Sequence, residues 1–102
     1  MKAVKVQYTV VPEYVDQNKA NIQNVMNALK RNPIEGMLYS SYTMDEDPNT
    51  FVHINIARDG ETMSKLNELE EFKTFRAGLK ESGPVWPPKS TNLNLVGAAF
   101  DL

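Results

Sequence analysis

The chain holds a single histidine, His53, within the stretch TFVHINIARDG. Imidazole has a reference pKa of about 6.5, so it can take a proton near neutral pH, for instance from an activated phenol or quinol. Gln7, Thr9, Asn55 and Asn94 add side chains that both donate and accept hydrogen bonds. Such groups suit a ligand that exchanges carbonyl for hydroxyl, as a quinone and its quinol do. Trp86, wedged between Val85 and Pro87-Pro88, offers a rigid stacking wall or lid. Each has a plainer reading too. His53 can be polar filler on a sheet face, the amides a solvated or interface surface, and Trp86 a cap on a helix end or on a partner subunit. The candidate catalytic residue is therefore His53, and the candidate substrate-binding residues are Gln7, Thr9, Asn55, Asn94 and Trp86.

Other chemistries are excluded by composition. With no cysteine there are no disulfides, thiolate nucleophiles or cysteine-ligated metals. A single histidine leaves too few donors for the usual tetrahedral zinc site. No phosphate-binding glycine loop, nucleophile elbow or HExxH motif is present. No cysteine-ligated metal or tetrahedral zinc site is expected. The net charge of −2 is spread over mixed acids and bases, with no basic block for nucleic acid. No apolar run approaches the ~20 residues of a membrane span, and MKAVKVQYTV alternates rather than forming a signal peptide's apolar core. A cytoplasmic protein is expected.

The 102 residues fit one domain spanning 1–102, with a single core. KAVKVQYTVV alternates strictly and reads as a half-buried strand, closed by Pro12. In EYVDQNKANIQNVMNALKRN the period changes. Ile22, Val25, Met26 and Leu29 fall at helical spacing, and Asn18, Asn21, Asn24 and Lys30 are expected on the opposite face. Pro33 and Gly36 forbid continuation. GMLYSSYTM and FVHINIA read as strands joined through the turn Asp47-Pro48-Asn49. Tyr39 and Tyr42, three apart, cannot share a face of the first of these. Met63, Leu66, Leu69, Phe72 and Phe75 recur every three residues, a spacing that slips around a straight α-helix. A short helix near 62–69, a kink or 3₁₀ turn near Glu70 and a second helix to about Glu81 are predicted. Arg58-Asp59-Gly60 reads as a capping turn. PVWPPKS is expected to be a stiff connector and TNLNLVGAAF the last strand.

The order β-α-β-β-α-β is the ferredoxin-like, split-βαβ pattern. It implies an α+β fold with a four-stranded antiparallel sheet, both helices on one face, and strands one and three in the middle. Val4, Val6, Tyr8 and Val10 are expected beneath the helices together with Val52, Ile54 and Ile56. The face away from the helices would then carry Lys5, Gln7, Thr9, Phe51, His53 and Asn55, joined by Asn92 or Asn94. The low-polarity run LVGAAF suggests a covered edge. A homodimer, with two such faces enclosing a partly polar cavity, is the expected assembly.

The stretch GMLYSSYTMDEDPNTFVHINIARDGETMSKLNELEEFKTF resembles the antibiotic biosynthesis monooxygenase family of the dimeric α/β-barrel superfamily. The similar pattern is a Gly-led strand, an acidic Asp-Pro turn, a strand opening Phe-Val and a helix bearing Leu and Phe. The likeness spans about forty residues in motif and most of the chain in topology. It implies homodimers with a small cavity between sheet and helices. It also implies oxidation of aromatic or quinol-type molecules by O₂ without metal or flavin. NELEEF offers only acids where many members carry a helix histidine, which haem-degrading relatives use as axial ligand, so the resemblance does not extend to haem. The expected function is a small cofactor-independent monooxygenase with His53 as base. The alternative is a non-catalytic, small-molecule-binding or stress-associated dimer on the same fold.

Overall fold

A computed structural model describes residues 1–102. Strand β1 (Lys2–Thr9) leads through a 3₁₀ turn at Pro12–Tyr14 into helix α1 (Val15–Arg31). Strands β2 (Met37–Thr43) and β3 (Thr50–Ala57) form a hairpin. Helix α2 (Gly60–Ser64), a 3₁₀ turn at Lys65–Glu68 and helix α3 (Glu70–Glu81) follow, and β4 (Trp86–Leu93) completes the sheet. The sheet is antiparallel throughout, in the order β2-β3-β1-β4, with β1 and β3 central as the crossover pattern requires.

Local chemistry explains the breaks. Asp59, in extended conformation, accepts a hydrogen bond from the Thr62 backbone N–H at 2.7 Å and starts α2. The helical region then interrupts itself at Leu69, whose backbone is extended (φ −73°, ψ 125°). This break lets the three-residue repeat of apolar side chains face one core from two short helices. At the entry to β2, Gly36 adopts φ +81° while its carbonyl accepts from the Arg58 N–H at 2.8 Å. A Cβ there would sit 2.9 Å from the Arg58 guanidinium, so glycine alone fits without adjustment.

β4 differs from expectation. It begins inside PVWPPKS and ends at Leu93, before most of TNLNLVGAAF. Two prolines are tolerated because β4 lies at the sheet edge, where one side of the strand needs no ladder donors. Trp86 pairs with Thr9 and Lys89 with Gln7, so Pro87 and Pro88 together face Tyr8 in a bulge.

The faces of the central strands also differ. Residues directly opposite in an antiparallel pair share a face, and the register sets Val4 against Asn55, Val6 against His53 and Tyr8 against Phe51. Phe51, His53 and Asn55 therefore lie beneath the helices, and Val52, Ile54 and Ile56 lie on the open face with Lys5, Gln7 and Thr9. The expectation was one residue out of phase, and with a period of two such a slip inverts the whole strand. The pattern of β3, with Val52, Ile54 and Ile56 in one phase and Phe51, His53 and Asn55 in the other, by itself favours the phase the structure does not adopt.

The core is built from Tyr8 and Val10, Ile22 and Val25 of α1, Phe51, Leu66, and Phe75 and Leu79 of α3. Only 14 of the 102 residues are buried, because the second sheet face has no layer over it.

Candidate functional site

His53 is buried, with 4% of its surface exposed, on the helix side of β3. Its ring stacks on Tyr8 at 5.3 Å and 22° and on Tyr39 at 5.8 Å and 23°, and Phe75 of α3 tilts against it at 5.3 Å. Both ring nitrogens are engaged. The Tyr8 hydroxyl lies 2.7 Å from Nε2, while Ser41 Oγ and the Tyr39 hydroxyl lie 2.6 and 2.9 Å from Nδ1.

The proton positions follow from donor counting. Asn18 Nδ2 donates to the Tyr8 oxygen at 2.8 Å. Tyr8 then has one proton left to give, and Nε2 is its acceptor. A neutral imidazole so disposed carries its own proton on Nδ1 and donates it to Ser41 Oγ and Tyr39. A chain of polar groups thus runs from α1 through Tyr8 and His53 to β2. Burial lowers the His53 pKa to about 4, so the ring is uncharged at neutral pH. Burial also raises the Tyr8 and Tyr39 hydroxyls well above the ordinary phenol value, although bonds from Asn18 and Ser41 oppose this.

Beside this chain lies a cavity of about 560 Å³ between the sheet and the α2–α3 region, within the ~300–1,000 Å³ typical of small-molecule sites. Val4, Val6, Tyr8, His53 and Asn55 form its sheet side, with Tyr39 from β2 and Pro88 and Ser90 from β4. Met63, Leu66, Phe72, Phe75 and Leu79 close the helix side, and Lys2 and Arg76 are charged lining residues. Phe72 meets Tyr39 edge-on at 6.2 Å, which joins the two walls. No three potential metal-ligating side chains cluster anywhere in the chain.

Of the residues singled out in the sequence, His53 and Asn55 line this cavity together. Gln7 and Thr9 stand on the opposite face, and Thr9 bonds to the Thr50 hydroxyl at 2.6 Å. Asn94 follows β4 as an exposed residue, and Trp86 is 69% exposed and not among the cavity's lining residues. Asn18, expected on the solvent face of α1, is fully buried. The signal for it was available: Asn18, Ile22 and Val25 fall at i, i+4 and i+7, the inward stripe itself. Tyr39 and Ser41 share the phase that faces the helices, whereas Tyr42 is 56% exposed. Nothing in the pattern marked Arg76 and Lys2.

Comparisons with family models and with curated proteins find no match. Comparison with solved structures finds the fold repeatedly. A crystal structure of an antibiotic biosynthesis monooxygenase superposes with a TM-score of 0.80 at 18% identity, covering 95% of this chain and 100% of that one. A candidate antibiotic biosynthesis monooxygenase from Nitrosomonas europaea gives 0.80 at 16% identity, over 93% of this chain and 89% of that one. A protein from Mycobacterium tuberculosis gives 0.81 at 16% identity, over 97% and 98%. At these identities the likeness establishes the ferredoxin-like α+β fold of these structures.

Proposed function

We propose that the protein is a small monooxygenase that oxidises an aromatic or quinol-type molecule with O₂ and no organic cofactor, in the cavity beside His53. The observation that carries this reading is a buried, uncharged imidazole, hydrogen-bonded at both nitrogens, on the floor of an aromatic-walled cavity.

The route for the proton follows from the bonding. The Tyr8 oxygen takes the substrate proton while its own proton passes to Nε2. The resulting imidazolium keeps Nδ1–H on Ser41 and Tyr39. A base with a pKa of about 4 is weak in the empty site. The anion formed on the substrate beside the imidazolium favours the charged ring and offsets the burial cost. The deprotonated, electron-rich ring carbon then forms a C–O bond with O₂, and the imidazolium proton returns through Tyr8 to the peroxide. At a former CH₂ centre the hydroperoxide breaks its O–O bond, loses water and leaves a carbonyl. The protein's share is desolvation, orientation by Asn55 and the aromatic walls, and the proton path.

The test is oxygen uptake by metal-stripped protein with quinols, anthrones and naphthols. Uptake should fall by roughly 10²-fold or more in His53→Ala, the usual scale for losing a general base. Tyr8→Phe, which keeps the ring but removes the path, should lose a comparable factor. Uptake that persists undiminished in both would remove His53 from the mechanism.

The open sheet face supports a homodimer. Val52, Ile54 and Ile56 are only half-buried there, Leu38 and Leu93 are exposed and share that face by register, and Leu95 and Val96 are exposed beyond β4. An apolar face of this kind is a liability unless a second copy covers it. Light scattering at micromolar concentration should return twice the 11.5 kDa chain mass; the mass of one chain would refute the dimer.

A further inference from the structure

The cavity has a charge pattern that its oxidation chemistry alone does not require. Its lining includes two cations, Lys2 and Arg76, and no aspartate or glutamate, although the chain as a whole carries net charge −2. Neither cation is neutralised elsewhere, since the ion pairs of the molecule are Arg31–Glu71 and Lys73–Glu70. The Arg76 guanidinium lies 5.8 Å above the Phe72 ring, and one of its nitrogens donates to Asn67 Oδ1 at 3.5 Å. This is a weak hold on a group with five donors. Arg76, Leu79 and Pro88 also line an adjoining open groove with Lys80 and with Lys73, the latter paired to Glu70. The cavity therefore opens onto a positive surface.

A second observation comes from the sheet side. Asn55 Oδ1 is buried without a hydrogen-bond partner, and Asn55 lines the cavity. A buried acceptor left unpaired is costly. It calls for a donor, and a ligand's hydroxyl or N–H that displaces water from the cavity can supply one. The same lining includes Leu66, Phe72 and Phe75, whose apolar surfaces offer contact to a ring.

We propose that the cavity takes a hydroxylated aromatic acid. The ligand's carboxylate binds Arg76, with Lys2 adding positive field, its rings pack against Phe72 and Phe75, and its hydroxyl donates to Asn55 Oδ1. Arg76 is then a specificity residue, since a planar guanidinium pairs a carboxylate through two parallel bonds. This rests on reading the cavity as the substrate site, but it concerns which ligand binds there and not whether oxygen is consumed.

The experiment is calorimetric titration of the wild-type protein, under nitrogen, with 6-hydroxy-2-naphthoate, its neutral carboxamide 6-hydroxy-2-naphthamide, and 2-naphthoate, which lacks the hydroxyl. The hydroxy acid should bind on the order of tenfold more tightly than either analogue, the scale of one charge-assisted or one otherwise unmet hydrogen bond. In Arg76→Gln the preference for acid over amide should shrink to within about threefold. Equal binding of acid and amide, no binding of any of the three, or a preference that survives in Arg76→Gln would each overturn the proposal. Because oxygen is absent, acid-selective binding without later oxygen uptake would sink the oxygenase reading and leave the ligand class standing.

Discussion

Phe75→Ala should lower the stability of the protein by about 3–5 kcal/mol, the range for truncating a buried phenylalanine. Phe75 is 5% exposed and sits where three aromatic partners meet: His53 at 5.3 Å, Phe72 at 5.8 Å and Tyr8 at 6.5 Å between ring centroids. It also lines the cavity beneath α3 together with Tyr8, Tyr39 and His53 of the polar chain. Truncation removes its buried area and joins the new void to a cavity that already exists, so the neighbouring side chains have little to collapse onto. A domain of this size has roughly 5–15 kcal/mol of stability in all, so the variant should unfold at a much lower urea midpoint with an unchanged slope. Phe75→Leu, which keeps most of the volume, should cost far less. A loss below about 1 kcal/mol for the alanine variant would show that Phe75 does not hold the core.

Acid is the second large effect. His53 is neutral in both folded and unfolded chains above pH 6.5. Between 6.5 and about 4 the unfolded chain binds a proton that the folded chain refuses, because burial lowers the folded pKa. Stability contributed by the neutral ring is therefore fully present above pH 6.5 and falls as pH drops through this window. Below about 4 this group has no more to lose. The gap between 6.5 and about 4 corresponds to roughly 3 kcal/mol. Urea midpoints measured every half pH unit should decline across the window, and His53→Asn should flatten the decline while being less stable at pH 7. Asp59, whose carboxyl is held below its ordinary value by the Thr62 N–H and hydroxyl, titrates at lower pH and does not produce this slope. A wild-type profile that is flat from pH 7 to 4.5 would mean that His53 is not buried as described.

The two effects share a cause. The candidate histidine is a core residue, so the candidate site and the fold are stabilised by the same packing. An imidazole set under helices loses its contact with water, and its bonds to Tyr8, Tyr39 and Ser41 replace that contact. Such a ring is oriented and uncharged by the fold alone. The apolar open face left behind supports the proposed pairing of subunits, while the polar chain lies on the opposite side of the same sheet.

Local sequence settled the order of elements, the interruption near Glu70, the Asp59 cap and the central place of the first and third strands. These depend on periodicity, proline and glycine, and the handedness of crossovers, all of which act over a few residues or one unit. It also identified His53 and Asn55 as the polar residues of interest. It did not decide which way they point. In FVHINIA one phase carries Phe51, His53 and Asn55, and the wholly apolar β-branched set Val52, Ile54 and Ile56 looks the better core. Tertiary structure chose the other phase. Phe51 stacks on Tyr8 at 5.5 Å, and His53 finds partners on β1 and β2 that lie 45, 14 and 12 residues away, with Asn18 completing the chain from α1. A buried polar ring is tolerable only where such partners converge, and convergence is a property of the folded chain. The strand by itself determined that a histidine would be present at the sheet; only the register and the helix above it decided that it would be buried, neutral and beside a cavity.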